Sequence, residues 1–471
     1  MIFDQITVLL VYLNPIIFAL LLLATMGIKH LRTLLNNICE KSGVCHFGSV
    51  SDFLKSEKKR LYRNTVYTNR INNPARQMQI KQSIENKPYF VGIDASLYAA
   101  RYKRVFRKIE YGFLRQIMLS LSSGMIPIYI FDGCAPEQKR KTITNRQNKK
   151  QKIRDKIENF LFPGENKPSF ITELSLDELV ERVNATYCNM HQDSSAKNTN
   201  IEKNEFWNKI SNTDLFHSST IKETQKNISN YLLYDNVDSS NEYKEFVRLT
   251  KKSISTDYDD IRNLKNFFDL LKIPYVTATR EADDLMAFLY KEQIIQACQS
   301  DDMDMLPKGC GNVIQISSTG VLQFLLPEIL QSLDLKYEQF IDLCILLGSD
   351  YYTSYLPKIK PMELYNIFKY LPNPSLESFI TFYADTDPNI AKHLEHYQLV
   401  RNSFLVSDEK YSKKFWNCDI APFSLGTIID HLTKIGINLN KNDYNKIRLM
   451  VKNANESIQI LKYSLPDESS R

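Results

Sequence analysis

Between Thr279 and Pro307 the chain carries seven acids: Glu281, Asp283, Asp284, Glu292, Asp301, Asp302 and Asp304. Six of them form two tight clusters, Glu-Ala-Asp-Asp and Asp-Asp-Met-Asp. Between the clusters run an apolar segment of helical period (Leu285, Met286, Phe288, Leu289) and a strand-like stretch, Ile294 to Cys298. The clusters therefore sit at opposite ends of one helix-then-strand unit, and an α/β sheet can bring both to one edge. Packing like charges together is costly unless a cation compensates them. A hard divalent ion such as Mg²⁺ takes oxygen ligands of this kind. A charge run is usually a solvated loop, but here the acids adjoin apolar segments and neither cluster has an interleaved Lys or Arg.

Two upstream runs point to the same edge. Tyr89 to Ile93 ends in Asp94, and Ile126 to Phe131 ends in Asp132-Gly133. Both read as buried parallel strands, with a helix over Tyr111 to Leu121 between them. Ligands of open α/β sheets gather beyond the strands' carboxyl ends. One strand-end Asp is more often a turn or helix cap. Two of them, with two acid clusters downstream, favour a shared metal site. The spacing further predicts a helix from Tyr258 to Leu271 and a strand over Ile273 to Val276. A hairpin around Gly320 follows (Val313 to Ile316, Val321 to Leu325), then a helix over Tyr337 to Leu347 and another from Met362.

The rest of the chain narrows the class. At 471 residues there is room for two or three structural units, and a net charge of +6 makes charge distribution more telling than its sum. Eight scattered cysteines without a Cys-x-x-Cys pair argue for reduced thiols inside a cell. Cys39, Cys45 and His46 lack a second ligand pair for zinc. There is no Walker loop, dinucleotide fingerprint or nucleophilic Ser or Cys motif. From Glu137 to Lys156, nine Lys and Arg face two acids. So basic a helix repels itself, and a phosphate backbone relieves the repulsion. Ile6 to Ala24 is long and apolar enough for an anchor, but no basic region precedes it. Residues 26–87 are polar and basic and read partly as an insertion. Residues 162–256, rich in Asn, Ser, Lys and Glu, read as a largely disordered insertion.

Taken in order, MGIK (26–29), VGIDAS (91–96), YIFDG (129–133), EADD (281–284), SDDMD (300–304) and LCILLGSDY (343–351) resemble the flap endonuclease/XPG family of structure-specific 5′ nucleases. The motifs span roughly residues 26–370. The resemblance implies an α/β, PIN-like nuclease fold: a central mostly parallel (mixed) sheet flanked by helices, a helical arch and a helix–two-turn–helix DNA-binding element. It implies two Mg²⁺ ions, with Mn²⁺ able to substitute, held by Asp94, Asp132, Glu281, Asp283, Asp284, Asp302, Asp304 and Asp350. Lys139 and Arg146 match the arch lysine and arginine and would act on the scissile phosphate. Seven residues apart, they would lie two helical turns apart on one side. Expected DNA contacts are Gly27, Lys29, Tyr98, Arg140, Lys149, Lys150, Lys358 and Lys360, although Tyr98, like Tyr102, fits core packing equally well. The expected partner is branched or nicked DNA with a 5′ single strand, without a small-molecule cofactor, and the expected workplace is the nucleus.

The chain also departs from the family. Pro357-Lys358-Ile359-Lys360-Pro361 stands where the family has a glycine-rich turn, and no sliding-clamp motif is seen near the C-terminus. In the family the chain starts at Met-Gly-Ile, so the functional start is expected at Met26, and membrane association only if residues 1–25 are retained. The expected organisation is an N-terminal extension (1–25), a nuclease region with the start of the arch (26–161), the insertion (162–256), a second nuclease region (257–375) and a mostly helical end (376–471). The alternatives are a 5′→3′ exoribonuclease of related fold and an inactive DNA-junction scaffold. The complete acid set argues against the latter.

Overall fold

The computed structural model describes residues 28, 30–39, 43–106, 108–135, 139–161, 249, 252, 254–317, 319–349, 359–384, 394–405, 420–437 and 439–462. In chain order its elements are α1 (Leu31–Cys39), β1 (Val44–Phe47), α2 (Val50–Thr68), α3 (Pro74–Asn86), β2 (Tyr89–Asp94), α4 (Ala95–Phe106), α5 (Ile109–Ser122), β3 (Met125–Phe131), α6 (Arg140–Leu161), α7 (Tyr258–Leu271), β4 (Tyr275–Thr277), α8 (Ala282–Lys291) and β5 (Ala297–Gln299). After a 3₁₀ turn (Met303–Met305) come β6 (Asn312–Ser317), β7 (Gly320–Leu325), α9 (Leu326–Leu333), α10 (Tyr337–Leu347), α11 (Pro361–Lys369), α12 (Leu376–Ala384), α13 (Leu394–Phe404), α14 (Leu425–Lys434) and α15 (Lys441–Lys462). Two units result: Met1–Arg140 with Asp257–Arg471, and Lys141–Thr256. The sheet belongs to the first. Of the expected site residues, Gly27, Lys29, Asp350 and Lys358 lie outside the described residues, as do the N-terminal extension and residues 162–248.

Seven strands run in the order β1-β7-β6-β5-β2-β3-β4. From β6 to β4 every neighbour is parallel, while β7 and β1 are antiparallel. This is the mixed, mostly parallel sheet that the apolar runs imply. Helices cover both faces, so the central strands are apolar throughout and not alternating. On β3, Ile128 and Ile130 pack with Leu285 and Met286 of α8, whereas Tyr129 and Phe131 join Phe113 of α5 and Phe268 of α7. α7 starts with a capping box between Asp257 and Asp260, which closes two orphan N–H groups. On α15, Ile447, Val451, Ala454 and Ile458 share the core of α5, a helical apolar stripe.

Part of the polar stretch before β2 is built into the core. β1 is the sheet's edge strand, paired with β7 from Val44↔Phe324 to Phe47↔Val321. α2 lays Phe53, Leu54 and Glu57 inward. The Glu57 carboxylate is buried and accepts from Arg60 (2.8 and 2.9 Å), Tyr89 Oη (3.1 Å), Asn312 Nδ2 (2.9 Å) and Gln323 Nε2 (2.8 Å). A charged residue at an inward position breaks the apolar period, which hides the helix's buried face from a pattern reading.

Candidate metal centre

Because β2, β3, β4 and β5 are parallel, their carboxyl ends share one edge. Asp94 closes β2, and its Oδ1 accepts from Leu97 N (2.9 Å) at the start of α4. Asp132 follows β3, and its Oδ1 accepts from Ala282 N (2.9 Å), the first residue of α8. Asp302 lies just past β5, and its Oδ1 accepts from Asp304 N (2.8 Å) in the 3₁₀ turn. Each strand-end carboxylate is thus also a helix cap, held by orphan N–H groups. The cap reading holds for all three residues.

Glu281 is the N-cap of α8, with Asp283 and Asp284 in its first turn. The positive end of the helix dipole favours all three there. Burial raises the Asp94 carboxyl well above the usual range, and the charges of Asp132 and Asp283 add to it. Burial likewise raises Asp302, helped by Asp304 and Asp283. Asp283 is pushed up to about 6 by burial, with Lys308 and Lys139 pulling the other way. Acids from three strand ends therefore feel one another.

Two lysines answer that charge. Lys308, its side chain fully buried, lies 3.0 Å from Glu281 Oε2, 2.7 Å from Asp284 Oδ1 and 3.8 Å from Asp283 Oδ2. Lys139 lies 2.7 Å from Glu281 Oε1. Sequence reasoning missed Lys308. It stands one residue past the acidic stretch, and only a loop folding back onto α8 reveals it. Its signal was a lysine beside Asp-Met-Asp in apolar surroundings.

The donor set suits a hard divalent cation: it is all oxygen, and Asp283 Oδ1 is buried with no hydrogen-bond partner among the described residues. Among those residues, no three acids, histidines or cysteines close on one point. In this arrangement Glu281, Asp283 and Asp284 are drawn onto Lys308.

Other expectations fare differently. Tyr98 is 2% exposed. Its hydroxyl accepts from Gln299 Nε2 (3.1 Å), and its ring packs 5.8 Å from that of Tyr102. It is a core residue and offers no face to a base, so its place among the DNA contacts is corrected here. Lys139 directly precedes the first residue of α6. Arg146 and Lys149 are exposed on α6, Lys150 is half-buried, and Arg140 is exposed. Lys360 is exposed at the N-cap of α11. Among the described residues no helix is long and apolar enough to cross a membrane.

The loop carrying Asp132 is tightly made. Gly133 N donates to Arg280 O (2.6 Å), and a Cβ on Gly133 would stand 2.1 Å from Ala278 O. Backbone cannot yield as a side chain can. Gly133→Ala is expected to lower stability by about 1–3 kcal/mol, read as a fall in melting temperature, and to weaken metal binding by moving Asp132 away from α8. Unchanged melting would show that the loop adapts.

The XPG I-region family matches residues 272–350, the stretch from the end of α7 through both acid clusters. Over that stretch the chain is similar to the flap endonuclease/XPG family. A probable RAD2-like endonuclease, 369L, of Invertebrate iridescent virus 6 is 24% identical over 313 residues, covering 60% of this chain and 66% of that protein. Flap endonuclease 1 of Encephalitozoon cuniculi is 33% identical over 143 residues, covering 27% of this chain and 41% of that protein. Among solved structures, flap endonuclease-1 from Methanococcus jannaschii matches at a TM-score of 0.44 and 16% identity, over 80% of this chain and 94% of that one. The alignments thus span less than two thirds of these curated relatives' lengths. The matched stretch holds Glu281, Asp283, Asp284, Asp302 and Asp304, the acids that meet Lys308 or lie beside β5.

Proposed function

We propose that the chain is a metal-dependent, structure-specific 5′ nuclease that hydrolyses DNA phosphodiesters at branched or nicked sites bearing a 5′ single strand, in a nucleus where DNA is replicated or repaired. The observation that carries this reading is that capped carboxylates from three parallel strand ends, Asp94, Asp132 and Asp302, share one sheet edge with Lys139 set against Glu281.

Asp94, Asp132, Glu281, Asp283, Asp302 and Asp304 would hold the metal. Two divalent ions bound there would supply an activated water and stabilise the leaving oxygen. The caps keep the carboxylates from turning away. Burial of Asp94, Asp283, Asp302 and Asp304 strengthens the charge interactions they make. Lys139 would leave Glu281 for the scissile phosphate and offset its developing charge. The exposed basic face of α6, with Arg146 and Lys149, would follow the backbone without reading bases.

The test is a 5′-flap duplex cut with Mg²⁺ and then with EDTA, using the full chain and a chain begun at Met26. Metal-dependent cleavage near the junction is expected. Silence on flap, nicked and single-stranded DNA would overturn the reading, and cleavage of RNA alone would replace it with the exoribonuclease. Lys139→Ala should slow cleavage at saturating Mg²⁺ by about 10²–10³-fold, the scale for losing one donor to a developing charge. Single-turnover rates check this.

A further inference from the structure

We propose that Lys308 is a built-in counter-ion: it neutralises the start of α8 so that the chain folds without metal, and in doing so it weakens divalent-cation binding at the acid edge. This rests on reading that edge as a cation site. The ammonium reaches three carboxylates, Glu281, Asp283 and Asp284, and its side chain is wholly buried. A buried ammonium is tolerated only when well paired, and a buried acid cluster only when compensated. Each condition meets the other here.

The position is built and not incidental. Lys308 N donates to Asp304 O (3.2 Å), Gly309 N to Leu306 O (3.0 Å) and Cys310 N to Met305 O (3.0 Å). Tyr337 Oη donates to Pro307 O (2.7 Å). The loop is therefore tied both to the acid turn after β5 and to α10. It delivers a positive charge to the first turn of α8, where Asp132 also docks. A second cation arriving there meets a like charge already in place.

The test uses metal-stripped full chain, read by melting in EDTA or Mn²⁺ and by Mn²⁺ binding followed with electron paramagnetic resonance. None of these involves DNA, so failure of the nuclease reading leaves the outcome legible. Lys308→Met should lower the melting temperature in EDTA, bind Mn²⁺ at least about tenfold more tightly, and gain more from Mn²⁺ than the parent. Adding Asp284→Asn to Lys308→Met restores the charge balance and should recover most of the melting temperature in EDTA, which a loss of packing alone would not allow. Unchanged melting in EDTA, or Mn²⁺ affinity equal to or weaker than the parent's, overturns the proposal. So does a double variant no more stable than the single one. If Lys308→Met cannot be recovered folded, a folded double variant supports the proposal and an unfolded one overturns it. Mn²⁺ binding to neither protein overturns both the proposal and the cation site.

Discussion

Asp304→Ala should abolish metal-dependent cleavage while making the metal-free protein melt at a higher temperature. Asp304 is completely buried, its backbone N is bonded to Asp302, and its charge helps to raise the Asp302 carboxyl. Without metal, that charge opposes folding, because like charges packed away from water repel. Removing it relieves Asp302. With metal, the same carboxylate belongs to the set proposed to hold the ions, whose charge stabilisation is worth several kcal/mol. A fall in single-turnover rate of about 10³-fold or more is expected, since each 1.36 kcal/mol is tenfold. Opposite signs on activity and metal-free stability are the signature of a residue kept for function at a cost in stability. A variant that still cuts, or one that loses activity simply by melting lower in EDTA, would defeat this assignment.

Glu57→Leu should do the reverse: lower stability sharply and leave cleavage per folded molecule intact. The carboxylate serves Arg60, Tyr89, Asn312 and Gln323, of which Tyr89, Asn312 and Gln323 are themselves buried. Removing one partner of a buried charged network strands the others, at about 3–5 kcal/mol. Tyr89 opens β2 and Asp94 closes it, so the network and the acid edge lie about 16 Å apart along the strand at ~3.3 Å per residue. Chemical denaturation measures the first effect, and single-turnover cleavage at low temperature the second. A loss of metal affinity at unchanged stability would mean that the two ends of the sheet are coupled.

How far the sequence could be read follows from the range of each interaction. β2 and β3 stand out because strands buried on both faces are apolar nearly throughout, β2 as far as Ile93 and β3 over its whole length. α7 is announced by Asp257 and Asp260 at its start. The convergence of acids is also legible, because parallel strands deliver their carboxyl ends to one edge. α2 and β1 are not. β1 is four residues long, and α2's inward face carries Glu57, whose partners lie on β2, β6 and β7. Lys308 was hidden for the same reason: its ion pairs span 24 to 27 residues, a loop closure that no local pattern encodes. Tyr98 shows the converse difficulty. An aromatic after a strand-end Asp can stack on a ligand or fill the core, and only the neighbours Gln299 and Tyr102 decide between them.

The capping role of the strand-end acids changes how relatives of this chain should be read. Asp94, Asp132 and Asp302 each fasten the first turn of the element that follows or faces them. A descendant that gave up chemistry would still fray if it lost them, so selection for folding alone would preserve half of the apparent catalytic signature. Their presence in a homologue is weak testimony to activity. Asp283 is the better witness. Its Oδ1 is buried without a hydrogen bond among the described residues, and a lineage freed from catalysis would be expected to shed it early.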